Sequence, residues 1–254
     1  MCGRYSLHLL SLDDIASHFA IPEIEIDYWG PRFNIAPTQN ALVVTGGGAG
    51  GGRRLRMLRW GLVPSWARDR GMAQKLINAR VETLASKPSF RSAYRRRRCA
   101  VPMSGFYEWK KVPRRGAGRG PRKQPLWIHR EDRGLLAAAG LWERWSDPQL
   151  ADASAPLDTF TIVTRPAEGA LLEVHDRMPL FLGPEVLDRW LEERELDEKE
   201  LASWLEAGTS FGGLTMHEVD PRMSSPGFED PSCIEPLASA QPPQLALFDD
   251  PGSQ

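Results

Sequence analysis

Apolar and polar residues along this chain follow two periods, and the two-residue period typical of strands is the more frequent. Runs rich in β-branched and aromatic residues, bounded by Gly, Pro or Asp, predict strands. These predicted strands cover residues 41–45, 55–60, 99–103, 106–110, 126–129, 135–141, 160–164 and 214–219. The glycine run at 46–52 is not followed by Lys-Ser/Thr, so we expect a hairpin loop there rather than a phosphate-binding loop.

Helical spacing of apolar residues is confined to three places. The stretch Ser11 to Asp14 has the form of a capping box, and it predicts a short helix over 11–20. Residues 184–207 repeat apolar positions at helical spacing with acids on the other face. In LINARVETLA the segment after Asn78 is also expected to turn helical. Because strands and helices do not alternate regularly, an α+β fold is favoured over a doubly wound sheet.

Composition is that of an ordinary globular protein, with 41% hydrophobic and 26% charged residues. No apolar stretch has the ~20 residues of a membrane span, and no basic region followed by an apolar run suggests a secretory signal. Three cysteines without CxxC spacing fit a reducing cytoplasm. The histidines are scattered, so we expect neither a metal site nor a cofactor.

Charge is unevenly distributed along the chain, although the net charge is only −1. Residues 91–123 are rich in Arg and Lys, with Glu108 as their single acid, and a polyanion is the natural partner of such a block. The run Arg95 to Arg98 could equally be a solvated loop or helix end. Residues 112–125, which hold Arg and Lys among Gly and Pro, are predicted to form the tip of a long hairpin.

The second residue is a cysteine, which becomes the N-terminus if Met1 is removed. An α-amine has a pKa near ~8, so part of it is nucleophilic at neutral pH, and the thiol beside it adds a second nucleophile within ring-forming reach. The alternative is that Cys2 is only a small, buried, apolar residue near a terminus.

Glu108 is the most promising acid–base group in the sequence. Strand alternation places it on the face opposite Tyr107 and Trp109. A carboxylate in such partly apolar surroundings has a raised pKa and can exchange protons near neutrality. A salt bridge to a neighbouring arginine is an equally good interpretation.

Three further polar residues have both a functional and a structural interpretation. His175 follows a short predicted helix in an Asp/Arg-flanked turn, and it is either a general acid or base or a structural histidine. Asn78 and Arg80 lie two residues apart at a predicted helix start. They suit the orientation of a nucleophile and a phosphate contact, or an N-cap and a surface charge.

Seven stretches in order, MCGRY, FNIAP, WGLVPSW, INARVET, GFYEWKK, IVTRPA and HDRMP, closely resemble the SRAP family of abasic-site processing proteins. The resemblance covers residues 2–237. It implies one domain of mainly antiparallel strands in a barrel-like sheet with flanking helices. It also implies a monomeric cytoplasmic protein, associated with the nucleoid when bound to DNA, whose partner is single-stranded DNA containing abasic sites. The Pro/Gln/Asp/Ser-rich composition of residues 238–254 predicts a disordered tail.

The resemblance also implies roles for individual residues. Cys2 would form a thiazolidine with the abasic-site aldehyde, Asn78 would position Cys2, Glu108 would relay protons, and His175 would assist sugar opening. Weak lyase activity and self-removal of Met1 are implied as well. DNA contacts would come from Arg4, Asn34, Trp66, Arg80, Thr164 and Arg177. Trp66 could instead be a core tryptophan, and Gly227-Phe228 departs from the family pattern at a position that is usually polar.

Two other classes of protein remain open. Class II glutamine amidotransferases also begin Met-Cys-Gly, and in them the thiol attacks glutamine. They need His-Arg-Gly and Asn-Gly-Glu stretches, neither of which occurs in this sequence. A non-covalent nucleic-acid binder would explain the basic block but not Cys2.

Overall fold

The structure is a computed structural model, and it describes residues 2–9, 11–47, 51–113, 121–149, 155–196, 198–207 and 213–237 of the 254-residue chain. The strands in these segments are β1 Tyr5–Leu7, β2 Arg32–Ile35, β3 Asn40–Thr45, β4 Arg54–Trp60, β5 Asn78–Arg80, β6 Arg98–Met103, β7 Gly105–Val112, β8 Arg122–Arg130, β9 Leu136–Trp145, β10 Leu157–Pro166, β11 Arg177–Pro179 and β12 Leu214–Glu218. The α-helices are α1 Leu12–His18, α2 Arg91–Arg96, α3 Pro184–Leu191 and α4 Glu198–Ala207.

Five strands close into a barrel. Strands β10, β4, β3, β6 and β9 pair in that order, and β9 pairs again with β10. The pairings are antiparallel except those of β10 with β4 and with the short strand β5. The α+β, barrel-like and mainly antiparallel fold expected from the sequence is therefore confirmed.

A second sheet, in the order β12, β8, β7, β1, β2, packs beside the barrel. Strand β7 follows β6 after the single residue Ser104, so the chain passes directly from barrel to sheet. Large side chains from both, including Tyr5, Phe106, Trp60 and Phe160, share one apolar core. Cys2, three residues before β1, belongs to this core and thus lies between the two sheets.

The first helix forms where the capping box predicts it. Ser11 Oγ accepts from the backbone N–H of Asp14 at 3.2 Å, and Asp14 Oδ2 accepts from that of Ser11 at 3.1 Å. Such a cap contributes about 1 kcal/mol. The helix then buries Ile15 and Ala16 against the core.

Two helix predictions need correction. Residues 184–207 form two helices rather than one, because α3 ends at Leu191 and α4 begins at Glu198. The segment after Asn78 is not the start of an α-helix: residues 78–80 are strand β5, and a short 3-10 turn, Val81–Thr83, follows. Pairing with β10 supplies the hydrogen bonds that the sequence pattern assigned to a helix.

Both predicted hairpins have the strands they require. In the first, Thr45 of β3 opposes Arg54 of β4, although residues 48–50 of its glycine run lie outside the described residues. In the second, Val112 opposes Arg122, so the strands extend further than expected and the connection is shorter than 112–125. Arg114, Arg115 and Arg119 of that connection, and the predicted tail 238–254, lie outside the described residues.

Along the described segments, no helix is both long and apolar enough to span a bilayer.

Candidate functional site

Cys2 is fully buried just before β1. Asn78 on β5 donates from Nδ2 to the Cys2 carbonyl at 2.8 Å, and the Cys2 thiol lies 3.7 Å from the carbonyl oxygen of Arg4. The main chain of Cys2 is therefore held by a side chain that arrives from the barrel. Full burial agrees with the interpretation of Cys2 as a small buried apolar residue, and the hydrogen bond from Asn78 is the contact that this interpretation does not require.

The Cys2 thiol is kept in its neutral form. Burial raises its pKa well above the usual range, and the negative charge of Glu108 raises it further. The positive charge of the N-terminus and the Arg4 carbonyl oppose the shift only in part. The surroundings of Cys2 therefore favour the S–H form of its side chain over the thiolate.

Glu108 lies on β7 with only 4% of its surface exposed. Tyr107 and Trp109 pack into a separate apolar cluster on the other face of the sheet, as strand alternation predicts. Burial raises the pKa of the Glu108 carboxyl, while the charge of the N-terminus and a hydrogen bond with it oppose that shift, as does His175 when its ring is protonated. The charged groups that act on its pKa include the N-terminus, His175 and Asp176, and the salt bridge to a neighbouring arginine stays an alternative prediction.

His175 lies between the 3-10 turn Gly169–Glu173 and β11. Its Nδ1 accepts from the backbone N–H of Arg177 at 3.0 Å and also lies 2.8 Å from Asp176 Oδ1. The two contacts require opposite proton states of Nδ1. We assign the first, because the Asp176 side chain is 81% exposed and a solvated ion pair contributes little. In that arrangement Nε2 carries a ring proton.

Asn78 and Arg80 lie on the same face of strand β5, because they are two residues apart. Ala79 between them is buried, Asn78 is partly buried and Arg80 is exposed. Asn78 Oδ1 is a buried acceptor without a hydrogen bond among the described residues, next to the Cys2 main chain. The structure therefore joins Asn78 to Cys2 by a hydrogen bond and places Glu108 within electrostatic reach of both Cys2 and His175.

Arg177 is close to this group but already bound. Its guanidinium forms two bonds with the Glu82 carboxylate, at 2.6 and 3.0 Å, and a third with the Thr164 carbonyl at 2.6 Å. Thr164 is fully buried, with its hydroxyl 3.4 Å from the Ala79 carbonyl. The predicted DNA contacts of Arg177 and Thr164 stay predictions.

Arg4 and Asn34 form a buried pair that fastens the 221–228 segment. Arg4 donates to Asn34 Oδ1 at 2.8 Å and to the carbonyls of Met223 and Ser224 at 3.1 and 2.9 Å. Asn34 Nδ2 contacts three carbonyl oxygens of the same segment, including that of Phe228 at 2.8 Å. In this conformation their polar atoms are directed into the protein, and their predicted DNA contacts stay predictions.

Trp66 is an exposed aromatic residue, with 56% of its surface accessible. Its indole N–H lies 3.4 Å from the Pro88 carbonyl. The interpretation of Trp66 as a core tryptophan is therefore wrong. Stacking on a base stays a prediction, and the exposed ring is suited to it.

The four arginines from Arg95 to Arg98 differ in burial and in their partners. Arg98 is buried and donates to main-chain carbonyls near α2 and α3, whereas Arg97 pairs with Glu143 at 2.8 Å. Arg95 and Arg96 are exposed. Only part of the basic block is thus available to a polyanion.

Metal ligands and further thiols are not part of this group. Across the residues that the structure describes, no three His, Cys, Asp or Glu side chains could hold a metal ion. Cys99 and Cys233 are buried free thiols. The residue that our sequence analysis overlooked is Glu82, whose only signal was an acid two positions after Arg80 in INARVET.

Known proteins resemble this chain over nearly all of its length. Residues 1–226 match the family model "SOS response associated peptidase (SRAP)". The chain belongs to the SRAP family. It is 37% identical over 237 residues to the abasic site processing protein YoqW of Bacillus subtilis, covering 92% of this chain and 99% of that protein.

A more distant relative and a solved structure are also similar to this chain. The abasic site processing protein HMCES of Gallus gallus is 31% identical over 216 residues, covering 76% of this chain and 60% of that protein. A solved Bacteroides thetaiotaomicron protein has a TM-score of 0.73 at 22% identity, covering 93% of this chain and all of that one. The latter likeness concerns the fold alone. The family resemblance found in the sequence motifs is confirmed.

Proposed function

We propose that this SRAP protein captures abasic sites in single-stranded DNA through a covalent bond to Cys2. Two things support the proposal: the relatives that carry the name abasic site processing protein, and the grouping of Cys2 with Asn78, Glu108 and His175. The grouping is the observation that carries the argument. It joins an N-terminal aminothiol to a carboxyl group with a raised pKa.

The chemistry starts once Met1 is removed, by the protein itself or by an aminopeptidase. The Cys2 amine adds to the aldehyde of the ring-opened sugar, and loss of one water gives an imine. The thiol sulfur then bonds to the imine carbon while its proton passes to nitrogen, which closes a thiazolidine. Because burial keeps the thiol neutral, the amine reacts first and the thiol second.

Each neighbouring residue has a defined part in these steps. Asn78 holds the Cys2 carbonyl and so orients the amine and thiol. Glu108, with its raised pKa, can donate a proton to the departing water and accept the thiol proton afterwards. His175 presents Nε2–H to the sugar and assists its opening. If the imine eliminates before the ring closes, weak lyase activity results.

The amidotransferase alternative is less well supported. It requires the thiol to attack first, with its own amine as base. A fully buried thiol whose pKa is raised by both burial and Glu108 is poorly suited to that step. We further propose that the protein acts as a monomer in the cytoplasm and joins the nucleoid when bound to DNA.

The test is incubation with single-stranded DNA containing one abasic site, followed by denaturing electrophoresis. Wild type should give a band that survives heat and detergent, and an undamaged strand should give none. Cys2→Ser keeps the amine but forms the corresponding oxygen ring poorly, so its band should be lost or heat-labile. Undiminished stable capture by Cys2→Ser would favour a non-covalent binder or a different nucleophile.

A further inference from the structure

Two arginines flank the Cys2 group, and they differ in availability. Arg80, on β5, is exposed, and within the described segments no carboxylate lies at ion-pair distance from it. Arg177, on β11, is 8% exposed, and both of its terminal nitrogens are bound to Glu82. A DNA phosphate can therefore reach Arg80 directly, but it meets Arg177 only after Glu82 has moved.

Glu82 is the movable member of that ion pair. Its side chain is 46% exposed, compared with 10% for the side chain of Arg177. It lies on the short turn Val81–Thr83, whereas Arg177 is anchored by β11 and by the Thr164 carbonyl. Release of the pair would swing Glu82 into solvent and leave the guanidinium in place.

Glu82 is also ionised under ordinary conditions. Burial alone would raise its pKa, but the hydrogen bonds and charge of Arg177, together with the charge of Arg80, lower that pKa overall. A carboxylate that pairs with guanidinium through two oxygens has the same geometry as a bidentate phosphate. Glu82 thus occupies the position on Arg177 that a phosphodiester would need.

We propose that Glu82 is an internal competitor for DNA, whose carboxylate holds Arg177 in the free protein and is displaced by a backbone phosphate of the bound strand. The inference rests on the proposed function, because that function supplies the DNA. The exchange need not disturb His175, since its Nδ1 is held by the main-chain N–H of Arg177 and not by the guanidinium.

Glu82→Gln is the decisive variant, because it keeps the size of the side chain and removes its charge. We expect its affinity for an undamaged single strand to rise about threefold to tenfold at low salt, measured by fluorescence anisotropy. Glu185→Gln is the matched control. It makes the same change in net charge at an exposed position in the first turn of α3, and its affinity should change less than twofold.

A double-mutant cycle with Arg177→Ala identifies the partner. In the Arg177→Ala background the gain from Glu82→Gln should vanish. If the gain persists there, or if Glu82→Gln binds no more tightly than wild type, the competitor role is wrong. Should Glu82→Gln fail to fold, Glu82→Asp, which shortens the reach to Arg177, should still bind about twofold tighter, and an unchanged affinity would overturn the inference.

These measurements are separate from those on the proposed function. Undamaged DNA cannot form the Cys2 adduct, so the affinities report on phosphate binding alone. Wild type that fails to crosslink abasic DNA would refute the proposed function and leave the Glu82 result standing. Suppose instead that wild type crosslinks abasic DNA, and that Glu82→Gln binds undamaged DNA no more tightly than wild type does. Those results would refute only the competitor role.

Discussion

The sheet formed by β12, β8, β7, β1 and β2 buries titratable groups on both faces, but the two faces differ in what surrounds those groups. On one face, burial raises the pKa of Glu108, which acts in turn on the Cys2 thiol. On the other face, His8 and His129 lie in a cluster of aromatic rings, with His129 4.2 Å from the Trp127 ring centroid.

Burial drives every one of these groups toward its neutral form. It lowers the pKa of His8 to about 4 and also lowers that of His129, and the charge of nearby Arg133 adds to both shifts. Of the two faces, the Glu108 face is the one that places the perturbed group beside Cys2, the proposed nucleophile. A perturbed pKa alone therefore does not mark a reactive site, and the comparison predicts different consequences for mutations on each face.

The largest expected difference follows from removing the proton of Glu108. Glu108→Gln keeps size and hydrogen bonding but cannot transfer a proton, so crosslinking of abasic DNA should slow by about 10²–10⁴ while the adduct still forms. The rate is measured in time courses at saturating DNA. His129→Gln, on the other face, is the control and should react at the wild-type rate.

The pH profile sharpens this prediction. If protonated Glu108 aids loss of water, the wild-type rate should fall as pH rises through its raised pKa, and Glu108→Gln should lack that limb. Equal rates for Glu108→Gln and wild type across pH would mean that the two faces do not differ in reactivity.

A smaller effect is expected from the residue that orients Cys2. Asn78→Asp has the same shape but cannot donate to the Cys2 carbonyl, and loss of one hydrogen bond of about 1.4 kcal/mol corresponds to about tenfold in rate. The maximal crosslinking rate should fall by that amount, with little change in affinity for an undamaged strand. A loss confined to affinity would show that Asn78 binds DNA rather than positions Cys2.

The smallest effect concerns stability on the aromatic face. The folded pKa of His8 lies below its unfolded value of about 6.5, so the unfolded chain binds more protons and stability falls as pH drops from about 6.5 toward 4. His8→Phe removes this penalty. Between pH 7 and pH 5 the free energy of unfolding should therefore fall less for the variant than for wild type. The difference should be about 1 kcal/mol after allowance for the partly exposed ring.

Thermal unfolding at the two pH values measures that difference. Crosslinking at pH 7 should match wild type, since His8 lies on the face away from Cys2. An unchanged pH dependence of stability would mean that His8 is not held neutral by the fold.

Sequence reasoning succeeded where the physical cause is local. Strand alternation assigned Glu108 to the face opposite Tyr107 and Trp109, and the capping box at Ser11 located α1. It failed at Asn78, because the strand that pairs with residues 78–80 lies more than eighty positions later in the chain.

Partners distant in sequence also explain why the sequence did not predict which arginines are bound within the protein. The bonds of Arg177 with Glu82 and of Arg4 with the Met223 carbonyl join residues 95 and 219 positions apart. No local pattern distinguishes these bound arginines from the exposed Arg80. Their availability to DNA could be judged only from the folded structure.

The most direct test of the account is a count of free thiols in the purified DNA adduct. The chain has three cysteines, Cys2, Cys99 and Cys233, and all three are free in the structure. After denaturation and alkylation, mass spectrometry of the adduct should find Cys99 and Cys233 modified and Cys2 protected. The expected mass is that of the Met1-free protein plus the DNA plus two alkyl groups, less one water. A stable adduct in which all three thiols are alkylated would show that sulfur is not bonded to the lesion, and it would contradict ring closure at Cys2.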